Sequence, residues 1–122
     1  MSDEKKPLPA QDAKALRSAK ADERIKEGKP LFTLGRCMST PAVLAYLAAH
    51  GVQPLTLLMR HQHGDWGNVD EDDAQVNNHA VHSGARLLSS FTVAYAVIWV
   101  ITEAVGDDGM RAASTLLYPD EY

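Results

Sequence analysis

Leu87-Leu88-Ser89-Ser90-Phe91-Thr92, Ala96-Val97-Ile98-Trp99-Val100-Ile101-Thr102 and Ala113-Ser114-Thr115-Leu116-Leu117-Tyr118 are three successive segments of β character. The first and last alternate apolar with small polar residues, as strands with one wet face do, whereas the middle one is almost wholly apolar. A strand apolar at nearly every position is buried on both faces. The middle segment is therefore expected at the centre, with Trp99 in the core and the other two segments flanking it antiparallel. Gly106-Asp107-Asp108-Gly109 supplies the hairpin loop between the second and third segments, and Pro119 ends the third.

Upstream of these strands the period changes. Thr40-Pro41 is an N-cap followed by an N1 proline, Val43, Leu44 and Leu47 recur at helical spacing, and Gly51 suits a C′ position, which predicts a helix over 41–50. Pro54 opens a second short helix running through Leu57 and Leu58 towards His61, with Gly64 as its stop. Asp70-Glu71-Asp72-Asp73 places acids where a helix start has free N–H groups, so a third helix is expected over 71–83, ending at Gly84. Its Ala74, Asn77, Ala80 and Val81 form only a thin apolar stripe. Leu31-Phe32-Thr33-Leu34 has strand character and stops at Gly35. The expected fold is α+β: three short helices followed by a small antiparallel sheet of about three to four strands, in one domain over 31–122.

The chain has 122 residues, 45% of them hydrophobic, which matches one globular core. No apolar run approaches the roughly 20 residues that cross a bilayer, and the start lacks the apolar stretch of a secretory signal. The expected location is cytoplasmic, without a membrane partner. Residues 1–30 are charged and Ala-rich, with Leu8, Leu16 and Ile25 as their only large aliphatics, and are expected to form a mobile leader, a frayed helix or a disordered arm, either solubilising or partner-binding. Charge divides at the same boundary: the leader carries eight Lys or Arg against six acids, and the body carries four arginines, no lysine and ten acids. An acidic body is poorly suited to non-specific nucleic-acid binding, which depends on clustered cations releasing counterions.

The densest chemistry lies in Arg60-His61-Gln62-His63-Gly64-Asp65-Trp66-Gly67-Asn68. Loops of this composition often carry function. A metal-independent ribonuclease needs a base, an acid and cations for the phosphate, and His61, His63, Asp65, Arg60 and Arg86 are the catalytic candidates for that reading, with Arg111 as a further cation. The order of elements resembles that of barnase and RelE-type nucleases. A structural reading competes, in which Asp65 caps, Trp66 covers the core edge and His61 bonds a helix terminus. His61, His63, His79 and His82 could in principle chelate, but their spacing fits no metalloprotease pattern, so neither metal nor cofactor is expected. The only cysteine, Cys37, precedes the Thr40 helix start, has no base beside it in sequence, and reads as an inert, partly buried thiol.

Arg60-His61, Gly64-Asp65-Trp66-Gly67, Glu71 with Asp73, Asn77, Gly84 with Arg86-Leu87-Leu88-Ser89, Ile98-Trp99-Val100-Ile101-Thr102-Glu103-Ala104 and Leu116-Leu117 to Glu121-Tyr122 resemble a group of uncharacterised plasmid and mobile-element proteins of bacteria. The resemblance covers about residues 31–122. It implies a bacterial accessory gene and carries no activity. One departure is the apolar Val93-Ala94-Tyr95-Ala96, where that group has a polar turn. The leading functional expectation is a small acidic interaction module that binds a protein partner with a basic surface through Trp66, Asp70, Asp72 and Asp73. The RNase-like toxin acting through His61 and His63 is the alternative.

Overall fold

Three of the four strands fall where the alternation predicts them. In the computed structural model, which describes residues 8–122, the elements are α1 (Ala10–Glu27), β1 (Arg36–Ser39), α2 (Pro41–Ala49), α3 (Pro54–Gln62), α4 (Glu71–Ser83), β2 (Leu87–Val93), β3 (Ala96–Thr102) and β4 (Ala113–Leu117), followed by a 3-10 turn at Pro119–Glu121. The fold is α+β with a four-stranded sheet in the order β1-β4-β3-β2. β3 is central, antiparallel to β2 (Ser90 opposite Trp99) and to β4 (Thr102 opposite Ser114).

The sheet is mixed, which corrects the expectation of a wholly antiparallel one: β1 runs parallel to β4, with Arg36 opposite Ala113 and Ser39 opposite Leu116. β1 lies beyond the apolar run Leu31–Leu34. That run serves the core through Phe32 instead of joining a ladder, while Arg36, Cys37 and Met38 in the strand are all exposed. Cys37 is thus an exposed thiol, not a partly buried one.

α2 and α3 cover one face of the sheet. Val43 and Leu47 of α2 and Leu57 and Leu58 of α3 pack with Phe91, Val93, Ile98, Val100 and Leu116. A second cluster joins Phe32, Trp66 and Leu87 to the stripe Ala74 and Ala80 of α4. By alternation, Val97 and Trp99 face the other way. Val97 is 41% exposed, Trp99 is half-buried, and the Tyr122 ring lies against the indole at 6.0 Å between centroids. The expectation that β3 is buried on both faces with Trp99 in the core is corrected at Val97 and Trp99, while Ile101 on the same face is buried. Its hydrophobic sequence runs across both faces, but α2 and α3 pack on only one. The indole that fills the interior is Trp66, fully buried.

Of the two forms expected for the leader, residues 10–27 take the helical one. There α1 is an 18-residue helix, and it is held by polar contacts that leave no apolar periodicity: Ala21 is its one buried residue. Residues 1–7 of the expected leader lie outside the described residues. Arg17 pairs with Glu71, Arg24 donates to the His63 carbonyl, and Ser18 and Asp22 receive Arg60.

The outer edge of β2 is closed by non-strand groups. The Asn77 side chain donates to the Leu88 carbonyl (2.7 Å) and accepts from the Leu88 N–H (3.2 Å), so its amide stands in for a neighbouring strand. One step along, Ser90 N–H donates to Trp66 O and Ser90 O accepts from Asn68 N. That pairing requires glycine at 67, whose φ is +70° and where a Cβ would lie 2.0 Å from the Ser90 oxygen. The apolar hairpin between β2 and β3 turns through Ala94, the one non-glycine with positive φ (53°) among the described residues.

Candidate functional site

His61 lies in the last turn of α3, on the side that faces the sheet, because Leu57, Leu58 and His61 follow one another at helical spacing on the buried face. Its ring is completely buried between the two apolar clusters, edge-on to Phe32 (5.1 Å) and to Trp66 (5.9 Å). Both ring nitrogens are bonded: Nδ1 to Ser89 Oγ at 2.6 Å and Nε2 to Thr102 Oγ1 at 2.8 Å. Thr102 Oγ1 in turn lies 2.6 Å from Ser114 Oγ, which donates to the Leu34 carbonyl at 2.7 Å.

Donor counting fixes the direction of this chain. Ser114 gives its only proton to Leu34 and so accepts from Thr102. Thr102 accepts from His61 Nε2–H, which places a proton on Nε2. Burial keeps the ring neutral, so Nδ1 accepts from the Ser89 hydroxyl, whose other acceptor, the Asp65 carbonyl, lies farther away at 3.4 Å. Burial, assisted by the positive charge of Arg111, lowers its pKa from 6.5 to about 3. Such a histidine organises the interior and does not exchange protons with a substrate at neutral pH. Ser89, Thr102 and Ser114 were not among the expected site residues. Their signal is that each places a small hydroxyl on the inward face of an adjacent strand, where Val or Leu would otherwise stand.

The neighbouring candidates are committed to the same scaffold. Arg60 donates from Nε to Asp65 Oδ2 (2.6 Å), from Nη1 to Asp22 Oδ1 (2.6 Å), and from Nη2 to Ser18 O (2.9 Å) and Ser18 Oγ (2.8 Å). Burial opposes its charge, but the bonds to Asp22 and Asp65 overcome this and raise its pKa; the bond from Arg60 lowers that of Asp22. Asp65 also accepts from the Gly67 N–H at 2.9 Å, fixing the turn that meets β2. His63 caps α3, is 2% exposed, and donates from Nδ1 to the Met59 carbonyl at 2.7 Å.

Arg86 is brought to a different surface, where its guanidinium lies 5.3 Å from the Tyr122 ring centroid. Arg111 is buried, donating to the carbonyls of Ala85, Glu103 and Ala80, and so secures the C-terminal end of α4 to the β3–β4 hairpin. The segment 60–68 forms a closed joint, its first three residues in the last turn of α3. His61, His63 and Asp65 face inward, and Arg86 does not converge on them. Among the described residues, no three His, Cys, Asp or Glu side chains are placed to hold a metal ion.

Of the expected binding residues, Trp66 is buried, its indole N–H donating to Asn78 Oδ1 at 3.0 Å, which removes it from any contact surface. Asp70, Asp72 and Asp73 are exposed. Asp70 caps α4 by accepting from Asp73 N at 2.8 Å, as the sequence predicts, while Asp72 and Asp73 project from the first turn. Beside them a groove of about 280 Å³ separates α4 from the outward face of β2 and β3; Asp73, Val76, Arg86, Leu88 and Trp99 line it. No single helix among the described residues is long and apolar enough to cross a membrane. No protein-family model matches the chain, and neither a curated protein nor a solved structure does.

Proposed function

We propose that the protein is a small acidic interaction module, encoded by a bacterial mobile element, that engages a basic protein partner along the groove between α4 and the outward face of the sheet. The observation that carries this reading is the composition of that groove. Trp99, Leu88 and Val76 give it an apolar floor, Val76 is 62% exposed, Asp73, Asn77 and Arg86 complete the lining, and the exposed Asp70 and Asp72 lie beside Asp73 at the start of α4. A tryptophan and an arginine beside an apolar depression are the residue types that dominate binding energy in protein interfaces. Rim carboxylates add steering and selectivity for a cationic partner. The enclosure of His61 and His63 leaves no open acid–base pair at the sequence-predicted site. That favours binding over the ribonuclease reading.

The test is an NMR titration of the whole protein with an amphipathic peptide rich in Leu and Lys, and with its Leu- and Glu-rich counterpart. The expected result is saturable shifts at Asp72, Asp73, Val76 and the Trp99 indole with the cationic peptide alone, weakened by salt and by Asp72→Asn with Asp73→Asn. Shifts that fall elsewhere, or that both peptides produce equally, overturn the reading.

A further inference from the structure

The other flank of α4 carries an arrangement of opposite charge. Arg17, Lys20 and Arg24 succeed one another along α1 at spacings of three and four residues, so they share one face of the helix. They line a pocket of about 300 Å³, across which stand Asn78 and His82 of α4. No carboxylate is part of that lining. Lys20 and Arg24 form no ion pair among the described residues, and the bond that Arg24 does make is to a neutral acceptor, the His63 carbonyl at 2.9 Å. Gly64 leaves room for that approach: a Cβ there would sit 2.8 Å from Arg24 Nη1.

The Arg17 side chain is only 14% exposed and bonds Glu71 through Nη1, and its enclosed Nε has no hydrogen-bond partner among the described residues. Asn78 has its amide orientation dictated by chemistry: the Trp66 indole can only donate, so the bonded atom is Oδ1 and the free end is the Nδ2 donor. A second pocket of about 400 Å³ adjoins the first, sharing Arg17, Lys20 and Asn78; Leu8, Ala13 and Leu16 form its apolar wall, and Glu71, already paired with Arg17, and Gln75 its polar one.

We propose that this α1–α4 pocket binds a phosphomonoester whose organic group is apolar. The phosphate would lie among Arg17, Lys20, Arg24 and Asn78, and the organic group would extend along Leu16. A dianion balances Lys20 and Arg24, which have no ion-pair partner among the described residues, and its several acceptor oxygens suit the guanidinium, ammonium and amide donors of the lining. The volume exceeds that of free phosphate, which leaves space for an ester substituent. The proposal is independent of the partner groove, which uses Asp73 and Val76 on the opposite flank of α4.

Two sources present this chemistry, a soluble phosphomonoester and the headgroup of a phosphatidic acid membrane, so the experiment has two arms on the full chain. Calorimetry with phenyl phosphate tests the first, and co-sedimentation with phosphatidylcholine vesicles, with and without phosphatidic acid, tests the second. Saturable binding in either arm, weakened roughly tenfold or more by Lys20→Gln and unaffected by Lys26→Gln, is the expected result, and the responding arm identifies the source. Lys20 makes no ion pair among the described residues, and an unchanged melting curve for Lys20→Gln confirms that the fold survives. Absence of saturable binding in both arms up to about 10 mM phenyl phosphate, or equal losses from the two substitutions, overturns the proposal.

Discussion

Replacing His61 by glutamine changes how the stability of this protein depends on pH. The folded ring is neutral and buried, with its pKa lowered from 6.5 to about 3. Above pH 6.5 it is uncharged in both the folded and unfolded chains, so it adds nothing to the pH dependence. Below 6.5 the unfolded chain takes up a proton that the folded chain refuses until about pH 3, and stability falls throughout that window. Each pH unit costs about 1.4 kcal/mol, so moving from neutrality to roughly pH 4 removes about 3 kcal/mol through this one group. That is a large share of the 5–15 kcal/mol typical of a domain. Glutamine can donate to Thr102 as the ring does but does not titrate. Urea unfolding of both proteins at about pH 7.5 and pH 4 separates the contributions, because carboxylates such as Asp22 titrate alike in the two chains and cancel in the comparison. His61→Gln is expected to be less stable at pH 7.5, by about 1–3 kcal/mol of lost packing and hydrogen bonding, and to match or exceed the native protein at pH 4. A stability difference that stays the same within about 0.5 kcal/mol at both pH values would refute the argument that His61 is folded into the core as the neutral ring.

Trp66→Ala removes a fully buried indole and is expected to cost about 3–5 kcal/mol, whereas Trp99→Ala, on the open face, costs less than about 2 kcal/mol; denaturant melts rank the two, and the reverse order overturns the assignment of faces. Deleting residues 1–28 strips Ser18 and Asp22 from Arg60 and is expected to lower Tm by more than about 4 °C in calorimetry; an unchanged transition means that α1 adds no stability. Ala94→Gly relieves a positive φ and is expected to raise stability by about 0.5–1 kcal/mol, with a decrease arguing against the turn. Gly67→Ala drives a methyl group into the Ser90 carbonyl and is expected to cost more than about 2 kcal/mol; a neutral effect in the same melts contradicts the pairing of that segment with β2.

The elements that were legible in the sequence carry their cause locally. Thr40 accepts from Val43 N ahead of Pro41, Asp70 accepts from Asp73 N, and Gly84 ends α4 at φ 84°, each a signal contained within a few residues. β2 and β4 announce themselves through alternation because each has one face on the core. β1 gives no such signal: its four residues are exposed or half-exposed, and what makes it a strand is the partner β4, far along the chain. α1 docks through Arg60 and its partners Ser18 and Asp22, polar contacts that span 42 and 38 positions and leave no periodic apolar trace. The site at 60–68 was visible as a concentration of chemistry, but its direction was not. Whether His61 faces water or the sheet depends on Ser89, Thr102 and Ser114, which read individually as ordinary strand residues.

The closed margin of β2 has a bearing on how the protein behaves when concentrated. A seven-residue strand with a free margin is a template onto which another molecule can add its own strand, and repetition of that step is how sheets grow into aggregates. Here the Asn77 amide and the backbone of Trp66 and Asn68 already occupy that margin. The margin left at the other end of the sheet, β1, is four residues long and carries the charged Arg36. Asn77→Ala would strip the Leu88 N–H and carbonyl of their partners, so the first sign of that substitution is expected as concentration-dependent light scattering.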